Sequence, residues 1–434
     1  MRKIIILIVT TVVLTSCKEA DSRNVSFTFE TGDPGSHGFH VDSLESATRF
    51  LAEAVEKQWV PGAVAMIIKD GTIVYEEAVG FSNREEGVSM QTDNIFRLAS
   101  LTKPITSFAV LMLHDRGMLD LHDPVSMYLP EFSSPMVVQS VDFADSTWTA
   151  RPASREVTIH DLLTHTSGIT YGFMDSTMNA IYKKAHVPDL FDVDGRTTEE
   201  TISALGLLPL QHDPGEQWTY GLNIDVLGRI VEVVSGETLD HFFRSEIFEP
   251  LGMENTWFYI PEESADRLTP LYYHPESNTL ERLSNYALGD GVSINTTDYY
   301  IGNGTFISGG GGLVSTAGDY QKYMQMIVNE GRLGDTRLIS SNTARLLFKN
   351  QIGDLRFRGE GFSYGYQVTF EDGDLRNGRI PGRLGWGGLF QTTHWMLPSK
   401  NMTVVLMSQV NLSLHRGALH NGFEQRINNA LIAN

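Results

Sequence analysis

Strand patterns at the two ends of the chain enclose a long helical middle, and this ordering limits the folds available to it. Near the N-terminal side, Ala63-Val64-Ala65-Met66-Ile67-Ile68 reads as a buried strand, Asp70-Gly71 as a hairpin turn and Thr72–Val79 as the returning strand. Near the other end, Phe362–Thr369 alternates. Thr392–Leu397 and Met402–Ser408 read as paired strands around Pro398-Ser399-Lys400-Asn401. Helical periodicity marks Val41–Gln58, Ile105–Arg116, Val157–Thr164, Asn223–Ser235 and Asp240–Phe248, and Asn411–Ala433 has room for a terminal helix. The expected architecture is α/β (α+β): an antiparallel sheet built from both chain ends and flanked by helices, with a mostly helical lobe inserted. The α/β lobe is expected at about 41–99 and 301–434 and the helical lobe at about 100–300.

Ser100-Leu101-Thr102-Lys103 falls where the two lobes would meet, just ahead of the apolar run Ile105–Leu113. On a helix, residues three apart share a face, so the Lys103 amine can reach the Ser100 hydroxyl. A serine hydroxyl becomes a good nucleophile when a neighbouring base takes its proton, and a lysine serves as that base where its charged form is disfavoured. The same spacing also suits a serine at a helix start with a solvated lysine in the first turn. Two other segments bear on the choice. Tyr220, within Trp218-Thr219-Tyr220-Gly221-Leu222-Asn223, lies in a loop before a helix, where a phenol can shuttle a proton or simply pack. In Gly385-Trp386-Gly387-Gly388-Leu389, glycines in strand-like sequence allow another backbone to approach closely and an N–H to be aimed at a developing oxyanion, or mark a bulge.

Composition narrows the class. A chain of 434 residues with 41% hydrophobic and 10% aromatic residues can build two lobes with real cores. The formal net charge of -20 gives no electrostatic footprint for DNA or RNA and would be repelled by anionic lipid. Membrane contact therefore needs another device. Arg2 and Lys3 precede the apolar stretch Ile4–Thr15, which is short for a bilayer span and typical of a signal-peptide core. Leu14-Thr15-Ser16-Cys17 follows and resembles a bacterial lipobox, whose cysteine is lipidated. Cys17 is the sole cysteine, so the monomer has no intramolecular disulfide. Residues 1–16 are thus expected to be a lipoprotein signal peptide, 17–40 a tether and 41–434 the folded domain. The protein is expected in a bacterial cell envelope, facing the periplasm or the exterior and anchored through Cys17.

Several segments, in order, resemble the serine β-lactamase and penicillin-binding-protein family, in particular its class C-like branch with the family VIII carboxylesterases. They are Pro61-Gly62-Ala63-Val64, Phe96-Arg97-Leu98-Ala99-Ser100-Leu101-Thr102-Lys103, His160-Asp161-Leu162-Leu163-Thr164-His165-Thr166-Ser167-Gly168, Pro214-Gly215-Glu216, Tyr220 with Asp225-Val226-Leu227-Gly228, and Gly310-Gly311-Gly312-Leu313. The resemblance implies a β-lactamase-like two-lobe fold, Ser100 as the acylated nucleophile, and general base and acid duty shared by Lys103 and Tyr220. It also implies an oxyanion hole from the backbone N–H groups of Ser100 and Leu389. The strand Trp386, Gly387, Gly388 would bind substrate. No metal or other cofactor is implied. His160 and His165 match a structural segment and receive no catalytic role, and no His-Glu-x-x-His spacing suggests zinc.

Two departures from the family's pattern bear on the substrate. Penicillin-recognising members carry Tyr-x-Asn, whereas Leu222 stands in the third position here and Asn223 comes one residue late. The family's Lys/His-Thr/Ser-Gly strand is Trp386-Gly387-Gly388, with no cation at 386. Both changes favour a small, less anionic ester or amide over efficient β-lactam turnover. A cell-wall-related D-amino-acid peptidase or weak β-lactamase remains an alternative, with a peptide as substrate. So does a non-catalytic lipoprotein that binds a peptide or glycan. Oligomeric state does not follow from pattern. The loops Phe132–Arg155 and Phe173–Thr198 are expected to shape an acyl pocket.

Overall fold

The computed structural model describes residues 27–189, 191, 195–289, 292–301, 304–370 and 378–432. The expected leader, and Cys17 with it, lies outside the described residues.

The sheet is assembled from both ends of the chain. Among the described residues it has nine strands: β1 (Glu30–Thr31), β2 (Gly62–Lys69), β3 (Thr72–Asn83), β4 (Val88–Ser89), β5 (Gly361–Phe362), β6 (Gln367–Val368), β7 (Leu384–Gly387), β8 (Thr393–Leu397) and β9 (Met402–Met407). Their order is β1-β3-β2-β9-β8-β7-β6-β5, with β4 paired to β3. The central pairings are antiparallel, and the register Met66↔Val405 joins N-terminal to C-terminal sequence. β2 and β9 are buried along nearly their whole length, which is why their sequences read as continuous apolar runs.

Period-two alternation divides those runs between two cores. Ala63, Ala65, Ile67, Val404, Leu406 and Trp395 face α1 (Val41–Glu56) and the C-terminal helix, with Leu44, Leu51, Leu419 and Phe423 as its partners. Val64, Met66, Ile68, Val405 and Met407 belong to the opposite, larger core. That core also holds α2 (Thr102–Asp115), α3 (Asn223–Ser235) and α4 (Ala317–Val328). The terminal helix itself, α5, runs Arg416–Ala430. α2 is buried from Thr102 through Leu113, a helix enclosed on all sides rather than amphipathic.

Three expectations are corrected. Residues 30–40 are not free tether: β1 pairs parallel with β3, Phe39 is buried, and His40 N–H donates to Ala430 O at 2.8 Å. The apolar Phe39 has a pocket between the chain ends, and burying it favours docking over extension. The segment 362–369 is not one strand but part of the β5–β6 hairpin, turning at Gly365, whose φ of 95° suits glycine. The stretch Phe132–Arg155, expected as a pocket-shaping loop, contains a hairpin, Met136–Asp142 with Thr147–Pro152. Its contacts run to Leu210 and Asp213.

Candidate active site

Ser100 stands on a short 3-10 turn, Ala99–Leu101, that leads directly into α2. Ala99 has φ 46°, in the left-handed region that a residue with a Cβ adopts only under strain. That turn leaves Ser100 part-exposed while Ala99 and Leu101 stay buried. Three residues earlier, Arg97 anchors the approach. Its fully buried guanidinium donates to Thr296 O at 2.6 and 3.0 Å, to Thr269 O at 2.6 Å and to Gln409 Oε1 at 3.2 Å.

One helical turn on, Lys103 is also buried, with 1% exposure. Its Nζ lies 3.4 Å from Ser100 Oγ, donates to Gly310 O at 2.6 Å, and lies 2.8 Å from the Tyr171 hydroxyl. The rings of Tyr220 and Tyr171 flank the amine at 4.8 and 5.3 Å to their centroids. Tyr220 donates from its hydroxyl to Ser100 Oγ at 2.6 Å. The three residues singled out in sequence, 100, 103 and 220, thus converge on one oxygen. Tyr171 joins them unannounced by any pattern. It precedes an irregular 3-10 turn, Gly172–Met174, where no periodicity marks an inward-facing residue. Burial, above all, holds its phenol well above the ordinary tyrosine range, with Tyr220, Asp225 and Asp189 adding to the effect.

β7 borders the site through Trp386, whose ring lies 5.7 Å from that of Tyr220. The glycines around it have separate reasons. A Cβ on Gly385 would meet the Arg383 guanidinium at 2.3 Å, and one on Gly387 would lie 3.1 Å from Arg416 Nη2. At Gly388 it would lie 2.1 Å from Leu98 O. Only Gly388 would therefore clash with backbone, two residues before Ser100; at Gly387 the backbone oxygen of Thr392 lies at 3.4 Å, an ordinary contact. The corner is held by Gly388 N–H donating to Thr392 O at 2.8 Å and by the Thr392 hydroxyl donating to Leu98 O at 3.2 Å. Arg416 Nη2 donates to Gly388 O at 2.5 Å, so a cation reaches this strand from α5 although none stands at position 386. Leu389 follows the corner and packs beside Ala99 and Phe390 in a third apolar cluster.

An aromatic wall continues from Trp386. Trp218 stacks on Phe357 at 4.0 Å, and Phe362 and Phe357 lie 5.4 and 5.7 Å from Trp386. On the other flank Phe173, 57% exposed, stacks on Tyr171 at 5.1 Å, which places the first residue of the 173–198 segment beside the site.

Asn223 lies outside the cleft. Its side chain is fully buried, accepts from Ser167 Oγ at 2.5 Å, donates to Ile169 O at 3.0 Å and meets His165 Nδ1 at 3.0 Å. His165 packs against Tyr220, and burial keeps its imidazole well below the ordinary histidine range, with Lys103 adding to the effect. His160 pairs with the Tyr364 hydroxyl at 3.0 Å. Among the described residues, no group of three or more His, Cys, Asp or Glu side chains is placed to hold a metal ion.

Comparison with known proteins bears on this geometry. The family model described as Beta-lactamase matches residues 47–428. Esterase EstB of Burkholderia gladioli is 30% identical over 382 residues, covering 85% of this chain and 92% of the esterase. Protein Rv1367c of Mycobacterium tuberculosis is 30% identical over 381 residues, covering 85% and 90%. Among solved structures, EstCE1, a hydrolase with promiscuous acyltransferase activity, superposes with a TM-score of 0.75 at 26% identity, covering 90% of this chain and 99% of its own.

Proposed function

The chain belongs to the Beta-lactamase family and is an enzyme of its serine-hydrolase type, and from that premise we propose that it cleaves a small ester through a covalent acyl-enzyme on Ser100. One observation carries the reading: Ser100 Oγ, part-buried, lies 2.6 Å from the Tyr220 hydroxyl and 3.4 Å from Lys103 Nζ. In acylation the Ser100 oxygen bonds to the substrate carbonyl carbon while its proton passes to the Lys103–Tyr220 pair. The carbonyl oxygen takes up the negative charge beside the backbone N–H groups of Ser100 and Leu389. Collapse breaks the bond to the leaving alcohol, which receives the proton. Water then attacks the acyl-enzyme with the same pair as base, releasing the acid and restoring Ser100.

The aromatic surfaces of Trp386, Trp218 and Phe357 favour an apolar group in the substrate, as the absence of a cation at 386 suggested. The esterase relative and the hydrolase with acyltransferase activity support an ester over an amide. A panel of p-nitrophenyl esters, a D-alanyl peptide and a chromogenic cephalosporin, run on wild type and Ser100→Ala, tests this. Ester turnover and fluorophosphonate labelling should both vanish in the variant, a loss of at least about 10³-fold. Unchanged turnover in Ser100→Ala, or a wild type that favours the cephalosporin or the peptide, would sink it.

The leader supports a second part of the proposal, export and lipid anchoring at Cys17. Cys17→Ala should move the protein from the membrane fraction to the soluble one. A variant still wholly in the membrane fraction would refute the anchor.

A further inference from the structure

Asp225 is a fully buried carboxylate that the proposed chemistry leaves unused. It lies in the first turn of α3, five residues after Tyr220. Its Oδ1 accepts from Ser308 Oγ at 2.6 Å and from Gly310 N–H at 3.0 Å. Its Oδ2 has no hydrogen-bond partner and is out of reach of solvent. A Cβ at residue 310 would fall 2.3 Å from that Oδ2, so only glycine lets the chain lie flat on the carboxylate. The same Gly310 turns its own carbonyl to Lys103 Nζ at 2.6 Å. One residue is therefore held by the acid through its N–H and holds the amine through its C=O.

The groups around Lys103 are Ser100, Tyr171, Tyr220, His165, the Gly310 carbonyl and, behind Gly310, Asp225. Among them Asp225 bears the one carboxyl. Burial pushes the Asp225 carboxyl up, while Lys103, Ser308 and Gly310 pull the other way. A buried carboxylate oxygen with no donor is costly unless a nearby cation compensates it.

We propose that Asp225 is a positioning residue for the Ser100 chemistry: from behind the loop it fixes Gly310, and with it the carbonyl that holds the Lys103 amine beside Ser100. The inference rests on the proposed role of Lys103 as base. An amine whose acceptor shifts loses its placement against the Ser100 hydroxyl, which costs turnover more than substrate binding.

The experiment separates kcat from KM for p-nitrophenyl ester hydrolysis by the full chain, with folding checked by circular dichroism and Tm. Asp225→Ser withdraws the acceptor that holds Gly310 N–H, and its kcat should fall by about 10-fold with KM unchanged within about 2-fold. Asp225→Asn keeps the shape and an oxygen acceptor for Gly310 N–H and should restore kcat to within about 3-fold of wild type. Asp225→Ala is read in place of the Ser variant if that fails to fold. A folded Ser or Ala variant with the wild-type kcat, or one whose loss lies in KM alone, overturns the inference. If wild type itself neither hydrolyses the ester nor labels at Ser100, the hydrolase reading has failed instead, and the two failures remain distinguishable.

Discussion

Two cations, Arg97 and Lys103, are buried six residues apart on the approach to the cleft and along its floor, and they are buried for different purposes. Arg97 is surrounded by acceptors that do no chemistry, the carbonyls of Thr269 and Thr296 and the Gln409 amide. Burial brings its guanidinium down to about 10, still charged at neutral pH. Lys103 is surrounded by groups that can exchange protons, the hydroxyls of Ser100 and Tyr171 and, across its face, the Tyr220 ring. A guanidinium with a fixed fork of donors suits a rigid brace. An amine with rotatable donors, set among hydroxyls, suits proton transfer. Burial alone does not mark a catalytic cation; the chemistry of its partners does.

Substitutions can break this contrast. Lys103→Met should have the largest effect, lowering kcat by about 10²–10⁴-fold while the protein stays folded, as measured by ester hydrolysis beside thermal unfolding. Equal activity with and without the amine would erase the distinction. Arg97→Met should do the reverse. It orphans the carbonyls of Thr269 and Thr296 and should cost about 3 kcal/mol of stability in urea unfolding. The molecules that remain folded should turn over within a few-fold of wild type, and a loss as large as that of Lys103→Met would place Arg97 in the chemistry.

A third buried group extends the comparison to pH. His394, on β8, lies between the rings of Tyr320 and Tyr366, and neither ring nitrogen has a hydrogen-bond partner. Burial, with Arg383 adding to it, brings its imidazole down to about 3 from an ordinary value of 6.5. The unfolded chain therefore binds a proton that the folded chain refuses between these values. Stability should be lost as pH falls below about 6.5, at about 1.4 kcal/mol per unit from this group, and the loss should level off near pH 3. His394→Phe should flatten that slope in urea unfolding between pH 7 and 5. A variant with the wild-type slope would assign it to other groups.

The sheet was legible because its signal is local. Ala63–Ile68 is apolar on both faces because both faces are covered, and Asp70-Gly71 turns at positive φ at both residues. Ser100 and Lys103 were legible because a helix puts residues three apart on one side. Tyr220 was found through a pattern of segments rather than through periodicity, since loop residues carry none. The roles of Tyr171, the Gly310 carbonyl and Asp225 escaped because they depend on where two distant loops and the start of α3 meet. The run Gly309-Gly310-Gly311-Gly312 carries in its own sequence no sign of the carboxylate it lies against.

The absence of a cation at position 386 shows the same division. The strand sequence settles that Trp386 offers an aromatic face, yet the Arg416 guanidinium arrives at Gly388 O from a helix about thirty residues further on. By itself the sequence determined the central strands, the strongly periodic helices and that a hydroxyl and an amine share a helix face, because hydrophobic periodicity and helical spacing act between near neighbours. Only the tertiary structure decided what surrounds that pair, because a buried charge takes its character from whichever distant donors and acceptors packing brings within hydrogen-bond reach.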